Sequence, residues 1–128
     1  MFVLDVTFGF TTGHILAEND GFNRVFGFGK SDKGQVGYGG TLTKYMPVDI
    51  TAFIPGDVIQ ISSGAYHTVA LTEDNRLFGW GKASRGQLGY KYKKGENTNH
   101  MKKPTEIELE DPERYIRNVI CGSLYTLA

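Results

Sequence analysis

RVFGFGKSDKGQVGYG, residues 24–39, is the stretch that decides the fold, because the chain repeats it as RLFGWGKASRGQLGY at residues 76–90. Every matched position, four glycines and one glutamine included, is displaced by 52 residues. Units with a period of this size stack on copies of themselves, since a single unit cannot bury its own apolar face. The sequence therefore predicts an array of similar units, and this chain contains a little more than two of them.

The repeat extends beyond the glycine-rich segment. VIQISSGAYHTVALTEDN at residues 58–75 returns as IRNVICGSLYTLA at 116–128, and a weaker version, VTFGFTTGHILAEND, stands at 6–20. Pro47 and Pro104 begin another matching run. Each period thus carries four short runs, rich in β-branched and aromatic residues and bounded by turn formers, which predicts strands rather than helices. Four strands per repeat is typical of a propeller blade.

We therefore predict an all-β fold, a β-propeller fragment of about two and a half four-stranded blades. The expected boundaries are a first repeat at residues 1–56, a second at 57–114 that includes a basic insertion at 91–103, and the start of a third at 115–128. Ten strands are expected, two sets of four and a final pair.

Composition narrows the function classes. Fourteen basic and fourteen acidic residues balance, which argues against nucleic acid as a partner of the whole domain. The apolar runs are too short to span a bilayer, so we expect no membrane contact and an intracellular location. The single cysteine, Cys121, aligns with Ser63 and is interpreted as an inert buried thiol. His14, His67 and His100 lack metal-ligand spacing, so neither a metal nor a cofactor is expected.

Two aromatic residues occupy the same repeat position, each between glycines. Glycines beside a large ring allow a neighbouring sheet to close over it, so the ring is predicted to be a wedge between blades. The residues to which we assign structural roles in the repeat are Gly27, Phe28, Gly29, Gly34, Gln35, Gly37, Gly64, Gly79, Trp80, Gly81, Gly86, Gln87 and Gly89.

The order G-A-Y-H-T-V-A-L, D-N-R-L-F-G-W-G and G-Q-L-G-Y, with proline opening the next strand, resembles the repeat of the regulator of chromosome condensation family over about residues 6–128. The resemblance implies a seven-bladed β-propeller. It also implies that a histidine and an acidic residue two before the G-Q-L-G turn, here His67 and Asp32, can contact a small GTPase such as Ran. The second turn has Ser84 instead of an acid. We align His14 with His67 and Tyr125, and this recurrence favours a structural hydrogen bond in the sheet.

The second repeat contains five more residues than the first between its glycine-glutamine turn and its proline. This insertion is interpreted either as a solvated loop, neutralised by the acidic run that begins at Glu106, or as a contact for acidic protein, phosphate or tubulin-like surfaces. Its candidate partner-binding residues are Lys91, Tyr92, Lys93, Lys94, Lys102 and Lys103.

The favoured function is a non-catalytic protein-protein interaction platform within a larger propeller protein or assembly, for example a cytoskeletal or ciliary one. Its partners would be other proteins and the remaining blades. One alternative is a guanine-nucleotide exchange factor for a small GTPase, which needs no cofactor. Another is a recognition module of a multidomain ubiquitin ligase or kinase.

Overall fold

The computed structural model describes residues 1–82, 100–107, 120–121 and 126–127. The first sheet contains β1 (Phe2–Phe8), β2 (Thr12–Asn19), β3 (Phe22–Gly29) and β4 (Lys44–Asp49). The second contains β5 (Val58–Ser63), β6 (His67–Thr72), β7 (Leu77–Lys82) and β8 (His100–Ile107). β9 (Ile120–Cys121) pairs with β10 (Thr126–Leu127), and Thr51–Phe53 forms one 3-10 turn.

Both four-stranded sheets are antiparallel meanders in chain order. Within the described ranges this gives the ten strands and the all-β class predicted from the sequence, with the VIQIS, HTVAL, RLFGWG and proline-led runs forming β5 to β8 in turn. The exact repeat boundaries stay a prediction.

The core lies between the two sheets. Every residue of β6 is buried, as expected for a strand in a sheet that is covered on both faces. In β1, by contrast, almost every side chain is exposed. The buried cluster that joins the sheets consists of Leu16, Val25, Ile50, Ile54, Val58, Ile61, Ala70, Phe78 and Trp80.

Trp80 fills the joint between the sheets and is fully buried. Its indole meets the ring of His14 edge to face, with 5.2 Å between the ring centroids, and its Nε1 donates a 3.0 Å hydrogen bond to His14 Nε2. Gly37 lies on the other side, where an added Cβ would stand 2.9 Å from the indole. The tryptophan of the second sheet is therefore packed on the first.

Gly29 and Gly81 have a different role from the one that the sequence suggested. Both have positive φ, at 104° and 97°, and an added Cβ would clash with the carbonyl oxygen of Thr11 or Tyr66 respectively. Those carbonyls belong to the preceding loop of the same sheet. These glycines thus permit a tight approach within each sheet, and the interpretation that they admit the neighbouring sheet is corrected.

The antiparallel order sends alternate connections to opposite ends of the sheets. We call the upper end the one where β1, β3, β5 and β7 finish; it carries loops 9–11, 30–43 and 64–66. The lower end carries turns 20–21, 50–57 and 73–76. The upper ends of the two sheets meet, since Phe10 N donates to the carbonyl of Ala65 at 3.0 Å.

Candidate functional site

Asp32 lies on loop 30–43 at the upper end, with 43% of its side chain exposed. One carboxylate oxygen accepts a 2.9 Å hydrogen bond from Gln35 Nε2, and the other lies 3.2 Å from Lys33 Nζ. Gln35 is buried and accepts a 2.7 Å bond from the Lys33 amide. The hydrogen bond from Gln35, followed by Lys33, lowers the pKa of Asp32. The residue is therefore an ionised surface group that also closes the glycine-glutamine turn.

His67 is buried at 1% exposure, opposite Gly81 in the sheet. The structure thus places one member of the pair suggested by resemblance on the surface and the other inside the second sheet. A contact between His67 and a GTPase stays a prediction.

The alignment of His14 with His67 is wrong. The Gly9 amide bonds the carbonyl of Thr12, and the Gly64 amide makes the matching bond to His67, so His67 corresponds to Thr12. His14 lies two residues further along, opposite Gly27. The cause is the length of the β2–β3 hairpin. It holds three residues more between Thr12 and Gly29 than the β6–β7 hairpin holds between His67 and Gly81. This difference shifts which residues of β2 and β6 are equivalent.

His14 nevertheless has a structural hydrogen-bonding role. Its Nε2 lies 3.0 Å from both the carbonyl of Val36 and the indole nitrogen of Trp80, and its Nδ1 lies 3.4 Å from Thr68 Oγ1. Burial lowers the pKa of His14 to about 4, although the bond to Val36 opposes this. When Nε2 of the neutral ring accepts the Trp80 bond, its proton lies on Nδ1 toward Thr68, so the ring links strand β2 to the second sheet while it stays in contact with the carbonyl of Val36 on loop 30–43.

The glycine-glutamine turn of the first repeat is seated against β8. Gly34 has a φ of 76°, and an added Cβ would lie 2.6 Å from the Cα of Lys102. The Gly39 amide donates to the carbonyl of Lys102 at 2.9 Å. Two backbone approaches therefore hold the upper loop of one sheet to the outer strand of the next.

Other sequence-predicted residues lie outside the described residues. Neither the second glycine-glutamine turn nor most of the basic insertion can be placed, and of Cys121 only its position in β9 is described. The undescribed candidates are Ser84, Gly86, Gln87, Gly89, Lys91, Tyr92, Lys93, Lys94 and Tyr125.

An aromatic and cationic group stands where the two sheets meet at the upper end. The Nζ atoms of Lys33 and Lys82 lie 5.2 and 5.6 Å from the centroid of the Tyr66 ring. Phe10 contacts the same ring edge to face, with 5.5 Å between centroids, and is 70% exposed. We call Phe10, Lys33, Tyr66 and Lys82 the Tyr66 cluster. Sequence reasoning missed it.

His100 begins β8 beside this group. Burial lowers the pKa of its ring, and the positive charges of Lys33, Lys82 and Lys102 lower it further, while Asp32 acts in the opposite direction. The imidazole is therefore favoured in its neutral form, and the lysines produce a positive potential at this position.

Among the described residues, charge is segregated between the two ends, although the whole chain is neutral. Of the six lysines in the described ranges, five lie at the upper end, where the only described carboxylate is Asp32. Seven of the nine described carboxylates lie at the lower end with both described arginines. The upper-end lysines are Lys30, Lys33, Lys44, Lys82 and Lys102, and the lower-end carboxylates are Glu18, Asp20, Asp49, Asp57, Glu73, Asp74 and Glu106.

The two ends also differ in ion pairing. Arg76 donates two 2.9 Å bonds to the carboxylate of Glu106, and Arg24 pairs with Asp49 at 3.1 Å. In residues 1–82 and 100–107, neither Lys82 nor Lys102 forms an ion pair. Glu106 follows Lys102 by four residues, about 13 Å along the strand. For the pair Lys102 and Glu106, the structure does not support neutralisation of the basic insertion by the acidic run.

A groove lies at the lower end of the described region. Its volume is about 460 Å³. Asn23 connects the sheets there. Its backbone amide donates to the carboxylate of Asp57, and its side-chain Nδ2 donates to the carbonyl of Val58. The groove is distant in the fold from the upper loops. Its lining residues are Gly21, Phe22, Asn23, Arg24, Thr51, Gly56 and Asp57.

Among the described residues, no three histidine, cysteine, aspartate or glutamate side chains are placed to hold a metal ion. The same residues include no helix with the length and apolar character needed to cross a membrane.

Comparison with known proteins identifies the repeat. Models of the regulator of chromosome condensation (RCC1) repeat match residues 58–87 and residues 23–71 and 74–128. The ultraviolet-B receptor UVR8 of Arabidopsis thaliana is 37% identical over 104 residues, which are 81% of this chain and 22% of the receptor. The X-linked retinitis pigmentosa GTPase regulator of Mus musculus is 36% identical over 104 residues, 80% of this chain and 10% of that protein.

The solved structures agree on the fold. The crystal structure of human WBSCR16 matches 94% of this chain and 28% of its own with a TM-score of 0.78, at 22% identity. The chain thus spans less than a third of the length of each of these proteins. With most of its residues inside the matched repeats and two meander sheets packed as successive blades, the chain belongs to the regulator of chromosome condensation (RCC1) repeat family and is a fragment of a β-propeller.

Proposed function

We propose that this chain is part of a non-catalytic protein-interaction module whose partners bind at the upper end of the blades. The observation that carries the proposal is the charge segregation among the described residues: five lysines and one carboxylate lie at the upper end, whereas both described arginines, at the lower end, are paired. Such a field steers oppositely charged partners toward one face.

The relatives support a shared scaffold rather than a shared chemistry. One is named an ultraviolet-B receptor and another a GTPase regulator, and function in a repeat fold depends on sites added to it. The described titratable groups fit this proposal, because His14 is buried and neutral and Asp32 is engaged with Gln35. An intracellular location belongs to the same proposal and is supported by the low cysteine content.

The test compares partner recovery by the intact protein and two charge-reversed variants. Lys30 and Lys82 are equivalent, since the amide of each bonds the preceding loop, to Thr11 and Tyr66 respectively. The double variant Lys30→Glu, Lys82→Glu should lose its partners in quantitative affinity purification. The control Glu18→Lys, Glu73→Lys changes an equivalent pair at the lower end and should retain them. Equal recovery with both variants would contradict the proposal.

Nucleotide exchange on a small GTPase is the second candidate, favoured by the exposed, ionised Asp32 at the upper end. The variant for its test is Asp32→Asn, because asparagine keeps an oxygen for the bond from Gln35 and removes only the charge. Asp20→Asn is the matched control at the lower turn. Accelerated release of a fluorescent nucleotide from a GTPase, lost in Asp32→Asn alone, would establish exchange and replace the first proposal. The ubiquitin-ligase or kinase alternative depends on other domains and stays a prediction.

A further inference from the structure

We propose that the Tyr66 cluster, together with Lys102, binds a short acidic segment of a partner protein that also carries an aromatic side chain. The inference rests on the proposed interaction function and names both the surface and the chemistry of the partner.

The cluster is assembled by four separate parts of the chain. Phe10 comes from loop 9–11, Lys33 from loop 30–43, Tyr66 from loop 64–66 and Lys82 from the end of β7. A backbone hydrogen bond of 3.0 Å from Phe10 to Ala65 fixes the two aromatic loops to each other. A second of 2.8 Å, from Lys82 to the carbonyl of Tyr66, fixes the strand end. Because these elements are held before binding, little ordering is required of the surface when a ligand arrives.

The charge of this surface is positive and largely uncompensated. Asp32 is shared by Lys33 at 3.2 Å and Lys30 at 3.8 Å, and it also accepts the bond from Gln35. Lys82 and Lys102 form no ion pair within the described ranges. Carboxylates placed against these ammonium groups would form ion pairs that the described residues do not provide.

The aromatic part of the cluster distinguishes the partner. Phe10 is 70% exposed although its ring packs on Tyr66, so an exposed hydrophobic ring lies next to the tyrosine that Lys33 and Lys82 approach. An acidic segment with one aromatic residue can cover Phe10 while its carboxylates reach these two lysines. Two lysines against one ring form a compact site. Nucleic acid, by contrast, favours an extended basic track along its phosphates, and the acidic lower end would repel a long polyanion.

The test measures fluorescence anisotropy of the labelled peptide Glu-Asp-Glu-Phe-Glu-Asp-Glu with the intact protein. The double variant Lys33→Gln, Lys82→Gln should weaken binding about tenfold, as expected for the loss of two charge pairs. The control Lys44→Gln removes a lysine from the same end, where its Nζ lies 4.5 Å from the Tyr38 ring outside the cluster. It should change binding less than about twofold. Circular dichroism establishes that each variant is folded.

Three results would overturn the inference: no binding of the acidic peptide, equal weakening by Lys44→Gln, or tighter binding of an oligothymidylate of similar length than of the peptide. A neutral version of the peptide, in which glutamine replaces each glutamate and asparagine replaces each aspartate, should not bind. If the peptide fails while partner recovery still depends on Lys30 and Lys82, the proposed function stands and only this inference falls. If recovery is insensitive to the upper end as well, both fail.

Discussion

Replacement of Trp80 by alanine should separate the two sheets, since this side chain joins them. Trp80 is fully buried in the cluster between the sheets and contacts His14 and Gly37 on the opposite side of the joint. Truncation of a buried tryptophan costs about 3–5 kcal/mol, and small domains are stable by only about 5–15 kcal/mol. The variant should therefore lose a substantial fraction of the stability of the chain.

The matched control is Phe28→Ala, which truncates the aromatic residue at the equivalent position of the first sheet. Phe28 is only partly buried, and its ring packs edge to face on Phe8 with 6.3 Å between centroids. Less apolar surface is removed from water there, so the cost should be about 1–2 kcal/mol. Trp80→Phe, which loses the hydrogen bond to His14 but keeps most of the apolar surface, should cost about 1–3 kcal/mol.

Urea denaturation followed by far-ultraviolet circular dichroism measures these differences without relying on the single tryptophan. The three free energies of unfolding should rank wild type, then Phe28→Ala, then Trp80→Ala, at a protein concentration where the midpoint is independent of concentration. If Trp80→Ala and Phe28→Ala lose equal stability, Trp80 is not the residue that joins the two sheets.

Three other predictions follow from the same joint and from the open face of the first sheet. The pKa of His14 is lowered to about 4 from 6.5, so on acidification the unfolded chain binds a proton at this residue before the folded chain does. The contribution of His14 to the free energy of unfolding is complete above pH 6.5 and falls by about 3 kcal/mol as the pH drops to 4. His14→Gln should flatten this dependence in acid denaturation. Gly37→Ala adds a Cβ 2.9 Å from the indole at a φ of 90°, whereas Gly39→Ala, at a φ of 96°, meets no atom within 4 Å. Both variants should lose about 1–2 kcal/mol of stability to backbone strain, and Gly37→Ala should lose more because of the clash. Equal losses in thermal melts would count against close packing of Gly37 on Trp80. Phe2 and Phe8 are exposed, at 74% and 66%, which predicts self-association of the isolated chain. Light scattering should show this association, and the double variant Phe2→Ser, Phe8→Ser should reduce it. A monomeric wild type would contradict the prediction.

The repeat made the strands predictable because alternation, turn residues and period are local properties of sequence. Chain order and all ten strands within the described ranges followed from the four runs per period. The position of Asp32 in an upper loop was also accessible, since it precedes the glycine-glutamine turn. The partners of Asp32 were accessible only in the structure, because the bond from Gln35 depends on how the loop closes.

The positive charge of the upper end left a signal in the sequence that our sequence analysis did not use. Lys30 and Lys82 both follow the glycine-aromatic-glycine run and are separated by the same 52 residues as the rest of the repeat. A lysine repeated at a strand end indicates that successive blades place positive charge at one end. The whole-chain balance of fourteen and fourteen conceals this, because net charge contains no information about position.

By itself, the sequence determined that this chain builds stacked four-stranded units, since strand formation and turn chemistry follow from neighbouring residues. Only the tertiary structure decided that His67 corresponds to Thr12 and that His14 instead meets Trp80 across the joint. It also decided that most of the described lysines and most of the described carboxylates occupy opposite ends. The physical reason is that register and the packing of one sheet on another depend on contacts between distant segments. A hairpin that is longer by three residues changes which residues of the two repeats are equivalent, and no local sequence pattern indicates that change.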